Sequence, residues 1–88
     1  METGEVARKR LSMRAWRRGM REMDLILGPY ADAHLAGMDD AGLAAFDALL
    51  DQNDQDLLPW ILGQQPRPDP FAALLDHVAG FARARLTR

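Results

Sequence analysis

Cysteine is absent from these 88 residues, which excludes disulfides, thiolate metal sites and a cysteine nucleophile, and suits a reducing compartment. Serine occurs once, at Ser12, and threonine only near the two ends, at Thr3 and Thr87, with no G-x-S-x-G context for a nucleophile. Neither a G-x-G-x-x-G nor a P-loop pattern is present, so the usual phosphate cradles are missing. His34 and His77 stand far apart without H-E-x-x-H spacing, so only the tertiary fold could unite them as ligands; packing or surface roles are the simpler expectation. The longest apolar run, Leu57 to Leu62, falls well short of the roughly 20 residues a membrane span needs. The opening "METGEVARKR" carries Glu2 and Glu5 and no apolar segment, which argues against a secretory signal or an acid-poor transit peptide. The expectation is a cytoplasmic chain with no direct membrane insertion, a monomer when free.

Lysine and arginine are missing from residues 22–66, which hold nine acidic residues; residues 1–21 hold seven cations against two acids, and residues 67–88 four against two. The net charge of -2 therefore hides a segregation into blocks that attract one another within a fold. With 48% hydrophobic and 27% charged residues, the chain has the balance of one folded domain over 1–88, its ordered core at about 5–86 and its N-terminal residues frayed. A chain this short builds one core and has little room for a deep cavity, which points to a protein acting at its surface.

Every strong pattern in the chain has helical period. Phe71, Leu74, Leu75, Val78, Phe81 and Ala82 form one stripe, with Asp69 as expected N-cap, Pro70 in the first turn, and Arg83, Arg85 and Arg88 at the negative end of the helix dipole. Asp39 or Asp40 caps a helix to about Gln52 that turns Leu43, Phe46, Leu49 and Leu50 inward. A short helix follows from about Asp54 to Leu62, with Leu57, Trp60 and Ile61 on one face, Gly63 as its stop, and Pro59 unsettling its boundary. Upstream, a first helix spans Glu5 to about Arg17, and a second spans Met20 to about Gly37 with Met23, Ile26, Leu27 and Tyr30 inside. Gly28-Pro29 is expected to bend or break this second helix. The sum is an all-α bundle of five short helices, with Gly19 in the corner between the first two.

Acidic pairs such as Asp39-Asp40 and Asp54/Asp56 fail the spacing of a calcium loop and read as caps and solvated faces. The stretch "RKRLSMRAWRRGMR" has seven cations in fourteen positions, with Trp16 available for stacking. It raises an alternative: a small nucleic-acid-associated or antitoxin-like regulator using the basic first helix. The acidic remainder of the chain would repel the same phosphates, so no nucleic acid is expected as partner.

The stretch "RRGMREMD", Arg17 to Asp24, crowds charge around one glycine. In one account Gly19 lets the chain turn while Arg18 and Glu22 pair at i,i+4. In the other, the bare glycine admits a partner's backbone and the flanking Arg and Glu make charge-assisted bonds to it. The polarity of the neighbours favours an exposed corner, at which Gly19→Arg leaves melting nearly unchanged.

Arg18, Gly19 and Glu22, followed by Asp24, resemble the R-G-x-x-E signature of the succinate dehydrogenase assembly factor family, SdhE, whose members promote covalent flavin attachment. A second stretch, "LLDQNDQDLLPWIL", is similar to that family's leucine pair, acidic D-x-D-L segment and tryptophan, in Leu49, Leu50, Asp54, Asp56, Leu57 and Trp60; Gln55 and Pro59 depart from the pattern. The resemblance implies a five-helix assembly factor, not an enzyme, that binds the flavoprotein subunit of succinate dehydrogenase and of the related fumarate reductase. It implies no cofactor of its own: the FAD belongs to the client, whose own histidine is joined to the flavin 8α-methyl carbon. The partner-binding residues would be Arg17, Arg18, Gly19, Met20, Glu22 and Asp24. Arg18 would bind a client acceptor, and Glu22 would orient Arg18 or meet a client cation. Asp54, Asp56 and Trp60 are candidates for a secondary surface, Trp60 reading more simply as a buried aromatic.

Overall fold

A computed structural model describes residues 2–86; Met1, Thr87 and Arg88, and with Arg88 part of the helix-end role expected above, lie outside the described residues. Five helices follow one another: α1 (Gly4–Trp16), α2 (Arg21–His34), α3 (Asp40–Leu50), α4 (Asp54–Ile61) and α5 (Ala72–Leu86). Short 3-10 turns, Leu35–Gly37 and Asp69–Phe71, follow α2 and precede α5, and no strand occurs among the described residues. α1 packs along α2 and α3, and α5 lies against α2 and α4. All five contribute to one core, in which Leu11, Leu27, Tyr30, Phe46, Leu57 and Leu75 are among the fully buried side chains.

Local chemistry sets most of the helix ends. Thr3 Oγ1 accepts from the Val6 amide at 3.2 Å and starts α1, and an Asp39 carboxylate oxygen accepts from Gly42 at 2.8 Å and starts α3. Gly63, at φ 75°, stops α4: its amide donates to the Trp60 carbonyl at 3.3 Å and that of Gln64 to Pro59 at 2.8 Å, the paired bonds of a Schellman cap. The last helix starts differently from expectation. Asp69 and Pro70 sit in the 3-10 turn, which Pro68 precedes, so neither caps nor opens α5, which begins only at Ala72. The imide nitrogens of Pro68 and Pro70 cannot donate, and the tighter i to i+3 turn, closed by Phe71 N–H to Pro68 at 3.0 Å, needs neither.

Gly28-Pro29 does not break α2, which continues through both residues to His34. An interior proline costs about 3 kcal/mol and orphans one carbonyl, here that of Leu25 on the solvent side. Against this, Met23, Leu27, Tyr30 and Ala31 are all buried along the same helix, and each large apolar side chain contributes about 1.5–3 kcal/mol. Packing therefore wins. Gly28 has a packing reason of its own: a Cβ there would lie 2.3 Å from the Trp16 ring, so the indole rests directly on the α2 backbone. Trp16 Nε1 also donates to Asp32 at 3.2 Å. Pro59 likewise sits inside α4, which starts at Asp54 as expected.

The charge blocks meet as their signs require. Arg10, Arg14 and Arg18 recur every four residues; the first two face Asp47 and Asp51 where α1 meets α3, and Arg18, just beyond α1, faces Asp54 at the start of α4. Arg10 bonds Asp47 at 2.9 Å, Arg14 bonds Asp47 at 2.6 Å and Asp51 at 2.8 Å, and Arg18 bonds Asp54 at 2.9 Å. Arg10 also reaches back to Glu2 at 2.7 Å. The hydrogen bond from Arg10 holds the Asp47 carboxyl below its ordinary pKa, with the charges of Arg10 and Arg14 adding to the effect. Arg8 is spent on backbone, donating to the carbonyls of Leu35 at 2.9 Å and Met38 at 2.6 Å and so closing the end of α2.

Candidate functional site

Between α1 and α2 the chain turns through Arg17, Arg18, Gly19 and Met20. Gly19 takes φ 85°, a left-handed conformation that side chains strain against, and beyond its own and adjacent residues no heavy atom lies within 4 Å of where its Cβ would sit. The glycine is thus required by the turn and is also exposed. A substitution there is strained even though it meets no steric obstacle, which corrects the expectation that Gly19→Arg leaves melting unchanged.

Arg18 and Glu22 do not pair, because the turn separates them: α1 ends at Trp16 and α2 starts at Arg21. Glu22 is exposed on the first turn of α2. Arg18 runs inward, its side chain 10% exposed, and the Asp54 it bonds is 20% exposed. Its Nε donates to Asp54 Oδ1 at 2.9 Å, one terminal nitrogen to the Leu50 carbonyl, and the other to the Gln52 carbonyl at 2.7 Å. Its backbone amide donates to Asp24 Oδ1 at 2.7 Å. The residues that orient Arg18 are therefore Asp54 and Asp24, not Glu22, and each of its three guanidinium nitrogens makes one bond within the chain.

The remaining expected residues divide in the same way. Arg17, Gly19 and Glu22 are exposed, whereas Met20 packs against the core from the N-cap position of α2. Asp56 is exposed on the first turn of α4. Trp60 is half-buried rather than buried, its ring 6.4 Å from that of Phe71 and nearly parallel to it. The fold thus brings Arg17, Gly19 and Glu22 onto one exposed rim, and it places Arg18, Asp24 and Asp54 beneath that rim as its support.

Two depressions border the corner. Arg14, Arg17, Arg18, Gln52, Asn53 and Asp54 line a polar one of about 250 Å³. Glu22, Leu25, Ile26, Ala82 and Arg85 line a mainly apolar groove of about 380 Å³ between α2 and α5. Leu25 is 52% exposed, and reading helix stripes alone passed over it. The signal was available: Leu25 lies two positions from Met23, off the buried stripe, and a leucine on the solvent side of an amphipathic helix marks an unpartnered apolar face.

The two histidines do meet. The His34 and His77 rings are 4.7 Å apart in T-shaped contact, and Tyr30 Oη lies 2.7 Å from His77 Nδ1. Burial, and secondarily the nearby His77, lowers the His34 pKa, so its neutral form is favoured. No group of three or more metal-ligating side chains occurs among the described residues. Of the seven cations in the basic stretch, Arg8, Arg10, Arg14 and Arg18 are engaged within the fold and Trp16 lies against Gly28, so nothing here favours the nucleic-acid alternative. No helix is long and apolar enough to cross a membrane among the described residues.

Comparison with known proteins identifies relatives. A family model described as "Flavinator of succinate dehydrogenase" matches residues 9–82, a span that includes both the corner and the acidic segment. The chain is 37% identical over 73 residues to mitochondrial succinate dehydrogenase assembly factor 2 of Aspergillus flavus, covering 80% of this chain and 25% of that protein. It is 36% identical over 67 residues to the Dictyostelium discoideum protein of the same name, covering 76% of this chain and 48% of that one. It is 35% identical over 83 residues to the FAD assembly factor SdhE of Shewanella oneidensis, covering 93% of this chain and 98% of that protein. The chain spans a quarter to a half of these mitochondrial relatives and nearly all of the Shewanella one.

Proposed function

Because the chain belongs to the succinate dehydrogenase flavinator family, we propose that it is an assembly factor that binds the flavoprotein subunit of succinate dehydrogenase and promotes covalent attachment of its FAD. The observation that carries this reading is the family match over residues 9–82. The exposed Gly19 rim supports it from the structure. A residue without a side chain, flanked by outward-facing Arg17 and Glu22, lets a partner's backbone come close while charge fixes its register.

The chain acts by binding rather than by catalysis. A transient partner that prefers the client conformation in which the isoalloxazine ring lies against its attachment residue raises the population of that conformation, and proximity then accelerates the client's own chemistry. The flavin belongs to the client. The polar depression beside the corner, about 250 Å³, lies below the roughly 300–1,000 Å³ of ordinary small-molecule sites and has two of its three arginines paired with carboxylates, while the neighbouring groove of about 380 Å³ is mainly apolar. The related fumarate reductase flavoprotein is a second client on the same reading.

Co-expression of the flavoprotein subunit with and without this chain, followed by in-gel flavin fluorescence, tests the proposal. Covalent flavin should rise strongly with the chain present. Equal fluorescence in both lanes overturns the reading, and fluorescence on this chain itself would reassign the flavin.

A further inference from the structure

The two charged side chains of the R-G-x-x-E corner leave it in opposite directions, Glu22 toward solvent and Arg18 into the seam between α3 and α4. We infer that Asp54 is a positioning residue: holding Arg18 from the first residue of α4, it fixes the shape in which Gly19 and Glu22 are presented to a client. The inference rests on the reading under Proposed function and assigns the acidic segment a role inside the chain.

The electrostatics of the seam account for the pairing. The Arg18 guanidinium lies between the carbonyl of Leu50, the last residue of α3, the carbonyl of Gln52 in the following turn, and the carboxylate of Asp54. A cation suits the negative end of α3, and an anion suits the positive end of α4. Three acceptors in different directions match a planar fork with five N–H donors, whereas a lysine ammonium would lack that rigid planar geometry. Arg18 is thus held twice, through its side chain by α3 and α4 and through its amide by Asp24 of α2. Only Gly19 and Met20 separate this doubly anchored residue from the start of α2, so the left-handed turn at Gly19 is fixed from both sides. Asp56, two residues beyond Asp54, is exposed and makes no ion pair among the described residues, which singles out Asp54.

Two measurements on the intact chain test this. Amide exchange by NMR is followed at Arg18, whose N–H bonds Asp24, and at Asp24, whose N–H bonds the Met20 carbonyl at 3.0 Å. Affinity for the flavoprotein subunit is measured on the same variants: Asp54→Ala, Asp54→Asn, Asp54→Glu, Asp56→Ala, Arg18→Ala and the double Arg18→Ala/Asp54→Ala, each with its melting temperature. Asp54→Ala should speed exchange at both amides about tenfold and weaken client binding about tenfold, the scale of one charge-assisted hydrogen bond. Asp54→Asn should do so more mildly while keeping the fold, Asp54→Glu should restore part of both, Asp56→Ala should change neither, and the double variant should bind no worse than Arg18→Ala.

Unchanged exchange in Asp54→Ala overturns the inference. So does loss of affinity without a change in exchange, which would make Asp54 a direct contact. Multiplying losses in the double variant, or faster exchange with undiminished affinity, overturn it as well. If the wild-type chain binds no flavoprotein, the functional reading fails, and the exchange arm, which needs no client, decides whether Asp54 fixes the corner.

Discussion

Gly19 offers a perturbation whose structural and functional effects separate cleanly. At φ 85° an L-residue with a side chain pays about 1–2 kcal/mol of backbone strain, while replacing glycine by alanine recovers about 0.4–1 kcal/mol by restricting the unfolded chain. The net loss is about 1 kcal/mol. No further steric term applies, since nothing beyond its own and adjacent residues lies within 4 Å of the added Cβ. For a domain of this size each kcal/mol moves the melting temperature by about 4–8 °C, so Gly19→Ala should melt about 5 °C below wild type. Gly19→Arg carries the same strain and should melt with it, its long side chain pointing into open solvent. Gly19→Asn should fall between, because asparagine tolerates the left-handed region better than most residues. Circular dichroism melts of the three variants, paired with client flavinylation at a temperature where all are folded, separate turn from contact. Gly19→Ala should retain most activity and Gly19→Arg should lose it. Wild-type melting in Gly19→Arg would refute the left-handed turn, and equal flavinylation by the Ala and Arg variants would refute the contact.

Other expectations follow from the packing and the titrating groups. Gly28→Ala should destabilise more than Gly19→Ala, by about 2–3 kcal/mol, because its Cβ meets the Trp16 ring at 2.3 Å, and most of that loss should vanish in a Trp16→Ala background; an additive double variant would show that the ring is not the obstacle. The folded-state pKa of His34 is lowered, so the unfolded chain binds the extra proton and stability should fall as pH drops through the ordinary histidine value of about 6.5; His34→Gln should flatten melting between pH 8 and 5, and a wild-type melting temperature that rises on acidification would contradict the direction. Asp47 adds a second acid loss. Its pKa is lowered by the Arg10 hydrogen bond, so its contribution is full above about pH 4 and disappears below, a step that Asp47→Asn should remove. Calorimetric titration of the isolated chain with FAD should give little or no heat, and one-to-one micromolar binding would move the flavin site onto this chain.

Most of the architecture is local in origin and was legible along the chain. Leu43, Phe46, Leu49 and Leu50 were read as one inward face and are all buried, because helical spacing alone puts them on one side. Gly63 stops α4 and Asp39 caps α3 for reasons contained within a few residues of each. Segregated charge foretold attraction between the blocks, and the R-G-x-x-E spacing pointed to the corner before any coordinates did. Long-range partners were not legible. Arg18 was expected to face a client on the strength of the resemblance, and its side chain bonds an acid 36 residues away, a distance that no local spacing encodes. Pro29 looked like a helix breaker because its cost is local, whereas the burial that outweighs it comes from helices elsewhere in the chain. The same holds for Trp16 on Gly28 and for His34 beside His77. Periodicity, caps and turn residues depend on neighbours in sequence and so determined the helices; which side chain faces a partner and which supports the site depends on neighbours in space, and only the packed bundle decides that.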